Sequence, residues 1–161
     1  MITAVVVGTE DIKAKLDSVS EAAQKELLAS ISTIVIALAR KIQDEKLSGQ
    51  VLQSRTGSLR RSITPSVSMG AGTIQATVGT DVAYAAIHEY GGVTPPHEIV
   101  AKHGKALAFL MAGRPVFAKK VEHPGSKIPE RSFLRSALEE MGPEIRAAVS
   151  DALSRAMEAS R

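Results

Sequence analysis

Residues 55–92, RTGSLRRSITPSVSMGAGTIQATVGTDVAYAAIHEYGG, decide the fold. Ile63, Val67 and Met69 alternate with Ser62, Thr64, Ser66 and Ser68, and Ile74, Ala76 and Val78 alternate with Thr73, Gln75 and Thr77. A period of two lays one apolar face along each segment, so the pair reads as a β-hairpin. Met69-Gly70-Ala71-Gly72 joins the two strands, its glycines supplying the positive φ of a tight connection. Pro65 has no N–H to give a ladder, which makes the first strand an edge or bulges it. After the hairpin, Asp81 is placed to cap a short helix over 82–90 that Gly91-Gly92 ends. Before it, residues 50–60 are polar and read as a loop carrying Arg55 and Arg60.

Working outward, the β-branched run over residues 2–7 fits a short strand or extended arm stopped by Gly8. Thr9 is a candidate helix cap, with Glu10 and Asp11 suited to the positive end of the helix dipole. Ile12, Leu16, Val19, Ala23, Leu27, Ile31, Ile34, Leu38 and Ile42 then recur at spacings of three and four, predicting a long helix to about Leu47 stopped by Ser48-Gly49. Val35 and Ile36 widen its stripe, as if it were covered from two sides. Toward the C-terminus, Phe133, Leu134, Ala137, Leu138, Met141, Ile145, Ala148, Val149, Ala152, Leu153 and Met157 form a second helical pattern. Gly142-Pro143 inside it predicts a kink or restart. Between Gly91 and Pro129 no helical period exists; 98–102, 106–111 and 115–122 read as strands within extra sheet or an extended arm.

The expected architecture is α+β: a long N-terminal helix and a C-terminal helix packed on a small, mainly antiparallel sheet, with a long extended insert. One domain over 1–161, its insert arm at about 92–128, suits the 161-residue length and 44% hydrophobic content. With two Tyr, three Phe and no Trp, Ala, Val, Leu and Ile must fill the core. Without cysteine there is no disulfide, thiolate metal site or Cys nucleophile. The opening apolar run is too short for a signal peptide or membrane span, and we expect a protein assembled in a reducing cytoplasm with no membrane partner. The net charge of +3 is uneven: Lys/Arg against Asp/Glu count six to seven over 1–50, nine to four over 51–128 and five to six over 129–161. The basicity belongs to the middle, where it faces nucleic acid or an acidic protein surface.

Chemistry-bearing motifs are few. His97-Glu98 resembles the start of a zinc-protease helix, but Ala101 stands where the second His belongs and Pro95-Pro96 oppose a helix, so we expect no metal and no cofactor. His88 and Glu89 suggest an acid/base pair, yet neighbours on a helix point apart and no nucleophile, phosphate-loop or dinucleotide motif accompanies them. We expect no enzyme. Arg55, Arg60 and Arg61 with Thr56 and Ser58 suit an anion; lacking stacking aromatics and a groove-reading helix, they fit a neighbouring protein's carboxylates better than a specific nucleic-acid sequence. Acidic residues such as Glu89 and Glu139 are the candidate partners.

Three blocks carry a resemblance: Arg55-Thr56-Gly57-Ser58-Leu59-Arg60-Arg61-Ser62-Ile63; Val78-Gly79-Thr80-Asp81-Val82-Ala83-Tyr84-Ala85-Ala86-Ile87-His88-Glu89-Tyr90-Gly91; and Pro129-Glu130-Arg131-Ser132-Phe133-Leu134-Arg135-Ser136-Ala137-Leu138. Together and in this order they resemble the tail-component, or tail-completion (neck), family of long-tailed bacteriophages, which is similar to the virion-morphogenesis proteins of Mu-like prophages. Ser132 stands where that family often has a second proline, and the insert is long; Lys105-Ala106-Leu107 and His123-Pro124-Gly125 have parallels in the Mu-like branch. The resemblance implies a virion structural protein, assembled in the bacterial cytoplasm. It would form a homo-oligomeric ring, hexamer or dodecamer, at the head-tail junction or top of the tail, bound to neighbouring neck and tail proteins around a channel for DNA. Expected subunit-interface residues are Arg55, Leu59, Arg60, Arg61, Tyr84, Glu89, Tyr90, Phe133 and Arg135. Lys102, Lys105, Arg114, Lys119 and Lys120 would line the lumen or meet the next ring, touching DNA weakly and without sequence preference. The competing expectation is a small basic nucleic-acid-binding module; a hydrolase using His88 and Glu89 ranks behind it.

Overall fold

A computed structural model describes residues 2–6, 21–70, 73–102 and 104–158. The protein is α+β, with two long helices and small antiparallel sheets. Strand β1 (Ile2–Val6) is followed, among the described residues, by helix α1 (Glu21–Lys41), which continues as π-helical turns over Ile42–Gln50. A four-residue helix α2 (Ser58–Arg61) leads into β2 (Thr64–Gly70) and β3 (Thr73–Thr80). Helix α3 (Ala85–Tyr90) precedes the insert, which holds β4 (Gly92–Thr94), β5 (His97–Val100), β6 (Leu107–Met111), β7 (Arg114–Ala118), β8 (Lys120–His123) and β9 (Ser126–Ile128). Helix α4 (Leu134–Glu158) closes the order.

The expected hairpin is present, β2 pairing β3 from Thr64 opposite Gly79 to Gly70 opposite Thr73. β1 takes the other side of β3, giving the order β1-β3-β2, so Pro65 sits on an edge strand as its missing N–H requires. Alternation along β3 buries Ile74, Ala76, Val78 and Thr80. Helix α1 lies on this sheet and against α4. Their shared core gathers Val35, Leu38, Ala39, Ile42, Leu47, Ile63, Val78, Phe133, Leu134, Ala137 and Met141. Leu27, Ile74 and Ala152 form a second cluster.

Several expectations are corrected. Of the α1 stripe, Val35 is buried but Ile36 is 43% exposed, so α1 is covered on one side at its middle. The helix does stop at Ser48 and Gly49, where φ turns to 123° at Gly49. Residues 50–60 are not all loop: Arg60 and Arg61 lie on α2, where a backbone turn places their side chains. Asp81 does not cap α3. Thr80 Oγ1 accepts the Val82 N–H at 3.2 Å, and Tyr84 occupies the cap position without a side-chain hydrogen bond. Helix α4 runs through Pro143 without restarting. Pro143 is exposed, so the carbonyl its ring deprives of a donor can turn to water. The expected cap at Thr9 and the stripe from Ile12 to Val19 lie outside the described residues.

The insert is one folded-back ribbon: β4 pairs β9, β5 pairs β8 and β6 pairs β7, all antiparallel. Expected strands 98–102 and 115–122 thus end sooner, at Val100 and Ala118, with β8 beginning anew at Lys120. Pro95-Pro96 and Pro124-Gly125 break the ladder at the same level because proline cannot donate. On the returning side, Lys119 alone separates the Val100–Lys120 pair from the Leu107–Ala118 pair.

Candidate assembly surfaces

The turn over residues 52–60 and α2 form one wall of a cleft of about 580 Å3. Tyr84, His88 and Arg131 form the other, and Leu47, Leu52 and Leu59 contribute its apolar lining. Arg55, Arg60 and Arg131 are its charged residues, with no carboxylate in the wall. Arg60 Nη2 donates to Asp44 Oδ1 at 2.7 Å, whereas the Arg55 and Arg131 guanidiniums have no partner among the described residues. Thr56 and Ser58 hydroxyls lie 3.0 Å apart at the rim, and the Tyr84 ring meets the His88 ring edge-on, centroids 6.1 Å apart. The Arg131 N–H donates to the His88 carbonyl at 2.8 Å, joining the α4 approach to α3. Two unpaired guanidiniums over an apolar floor suit a carboxylate or phosphate carried on a group with apolar neighbours.

Glu89 has a different place from the one expected. Its side chain is buried, and its carboxylate accepts four hydrogen bonds. Ser132 Oγ donates to Oε1 at 2.7 Å and Arg135 N–H at 2.9 Å; Phe133 and Leu134 N–H donate to Oε2 at 2.8 and 2.9 Å. These are donors at the head of α4 that no intrahelical carbonyl can meet, so Glu89 caps that helix from another element and complements its dipole. Neither Glu89 nor Phe133, which is also buried, offers a surface to a neighbour. The expected meeting of the arginine turn with Glu89 or Glu139 does not occur within the chain: Arg60 takes Asp44, and Arg135 pairs with Glu130 and, at 4.0 Å, Glu139. Leu59 is half-buried, while Arg55, Arg61, Tyr84, Tyr90 and Arg135 are exposed.

Below the cleft, Lys46 is buried and pairs with Glu140 of α4, which Lys41 also approaches at 3.3 Å. The Lys46 hydrogen bond, against the effect of burial and with help from Lys41, holds the Glu140 carboxyl below the usual carboxylate range. The hydrogen bond to Glu45, again opposed by burial and joined by Glu140, raises Lys41 above its usual value.

The arm carries the other surface. Phe109, Leu110, Met111 and Phe117 are exposed at its tip. Residues directly opposite in an antiparallel ladder share a face, so Leu110 opposite Pro115 and Phe117 opposite Ala108 lie on one side, Phe109 opposite Val116 on the other. Both faces are therefore apolar, a feature hidden from a search for alternation. Lys102, Lys105, Arg114, Lys119 and Lys120 are all exposed along the arm; Lys120 donates to Glu98 at 2.8 Å. His97 and His123, directly opposite, stack with centroids 5.1 Å apart, and among the described residues no three His, Asp or Glu converge as a metal site. No helix there is long and apolar enough to cross a membrane. Sequence reasoning missed Arg131 and Glu122 and weighed Glu98 only as part of a zinc-protease pattern; Arg131 lies within the third block, but nothing local marks it as sharing a cleft with Arg55.

No curated protein and no solved structure gives a match to the chain. The model of the phage virion morphogenesis family matches residues 36–158, which include the cleft, the whole arm and α4. With the match covering well over half its length, the chain belongs to the phage virion morphogenesis family.

Proposed function

We propose that this protein is a structural, non-catalytic subunit of a closed ring at the head-tail junction or upper end of the tail of a long-tailed phage. Copies of the chain, six or twelve, meet neck and tail proteins above and below and leave an axial channel for DNA. The observation that carries the reading is the arm, whose tip exposes Phe109, Leu110, Met111 and Phe117 on two faces. A lone two-stranded ribbon is marginal in water, and exposed apolar clusters of this kind mark contacts with other chains. A ribbon apolar on both sides is suited to lie between two neighbours, as a head-to-tail ring provides. The edge strand β2 offers further backbone groups for pairing. The arm cations give a lumen lining or a contact to the next ring, and their hold on passing DNA is weak and sequence-independent.

Native mass across protein concentration and ionic strength, with electron-microscope class averages of the same sample, tests this. Closed rings with an open axis are expected. A chain that stays monomeric at every concentration and binds duplex DNA with a steep salt dependence would replace the reading with a nucleic-acid-binding module.

A further inference from the structure

Two features have no explanation within one copy, and each supplies what the other lacks. In the middle of the arm Glu98 lies directly opposite Glu122 on one face of the ribbon. Like charges directly opposite each other destabilise a ladder. Lys120 answers Glu98, but Glu122 is exposed and has no partner among the described residues. On the body, the cleft presents Arg55 and Arg131 unpaired, with no carboxylate in its wall.

Resting on the ring reading, we propose that the Glu98/Glu122 pair of one copy's arm docks in the Arg55/Arg131 cleft of the next copy. Each subunit then offers an arm on one side and a receptor on the other, the unlike pair of surfaces a head-to-tail ring needs. Guanidiniums hold carboxylates through paired hydrogen bonds, and two of each can be satisfied together. Val100, exposed beside the acidic pair, supplies apolar cover for the half-buried Leu59 in the cleft; a duplex phosphate rail supplies none. Other exposed carboxylates fit less well. Glu144, Asp151 and Glu158 follow one another at seven-residue steps on α4, about 10 Å apart along the axis, too far for two to enter one cleft. A second groove, between α1 and α4, offers Arg40 and Lys41 but sets Asp44, Glu45 and Glu144 beside them, so it has no surplus of cations for an acidic pair.

Charge exchange tests the contact. Arg55→Glu with Arg131→Glu, and separately Glu98→Lys with Glu122→Lys, should each raise the concentration for half-assembly by about tenfold or more, with circular dichroism unchanged. All four substitutions in one chain should return it to within about threefold of the parent, because arm and cleft are again complementary. Since the chain has no cysteine, Glu122→Cys with Arg131→Cys should give, on oxidation, covalent species larger than a dimer, which neither single variant can form. Reversed chains that form rings as the parent does would overturn this contact and leave the ring reading standing. A parent that never assembles overturns both. Loss of duplex binding in the cleft reversal, with assembly intact, would reassign the cleft to DNA.

Discussion

At the scale of single residues, Glu89 ties the two halves of the body together. Its carboxylate collects four donors from residues 43 to 46 positions further along the chain. Glu89→Gln keeps the shape but replaces a charged acceptor with an amide that cannot accept all four, and should lower unfolding stability by about 2–4 kcal/mol in urea titration. A loss below about 0.5 kcal/mol would mean the α4 head is satisfied by water instead. Gly91 is the second sensitive position: its φ is 71°, and a Cβ there would stand 2.8 Å from the Glu130 backbone nitrogen. Gly91→Ala should cost about 1–3 kcal/mol by the same titration. Gly91 stands where the sequence places the stop of this helix, but the role of Glu89 was not legible in advance. A cap donated from another element leaves no local spacing to read, so Glu89 looked like a surface acid, whereas Asp81, in the expected cap position, is exposed and unused.

Among elements, the join between the end of α1 and α4 governs the pH response. The lowered Glu140 pKa stabilises the fold at pH above the unfolded carboxylate value, and that contribution is lost as pH falls through the folded value. The raised Lys41 pKa works in the opposite sense, stabilising below the unfolded lysine value and fading as pH rises through the folded one. Stability should therefore be flat near neutrality and fall on the acid side. Glu140→Gln should flatten that acid limb in denaturation curves taken from pH 7 downward, and an unchanged limb would place the acid sensitivity elsewhere. The arm makes a separate prediction. Gly92 lies opposite Ile128 at its root, so a short turn replacing residues 93–127 should leave Tm within about 3 °C while abolishing assembly by native mass. The helices and the β2-β3 hairpin were legible because each has one buried face and so one clear period. The place of the arm and most of its strands were legible too, but its fold-back pairing was not, because a ribbon apolar on both faces and twice interrupted shows no alternation.

For the whole molecule, the uneven charge seen in the sequence takes a spatial form: a basic cleft on the body and an arm with cations around one acidic pair. If the ring is held by Arg–Glu contacts at arm and cleft, raising salt from about 0.05 to 0.5 M should shift native mass toward smaller species. Leu110→Ser with Phe117→Ser should weaken assembly at every salt concentration, since apolar burial is not screened. Salt dependence without any effect of the apolar substitutions would confine the contact to charge. The family was readable from the order of three short blocks and the fold class from the apolar periods, but which surfaces face a neighbour depends on residues brought to one cleft only by folding, as Arg55 and Arg131 are. Helix α3 adds a mechanical consequence. One end runs through Gly91 into the arm root, while its Glu89 grips the first turn of α4. A tug on the arm is thus delivered within three residues to α4, and the carboxylate clamp is the first joint to bear the load.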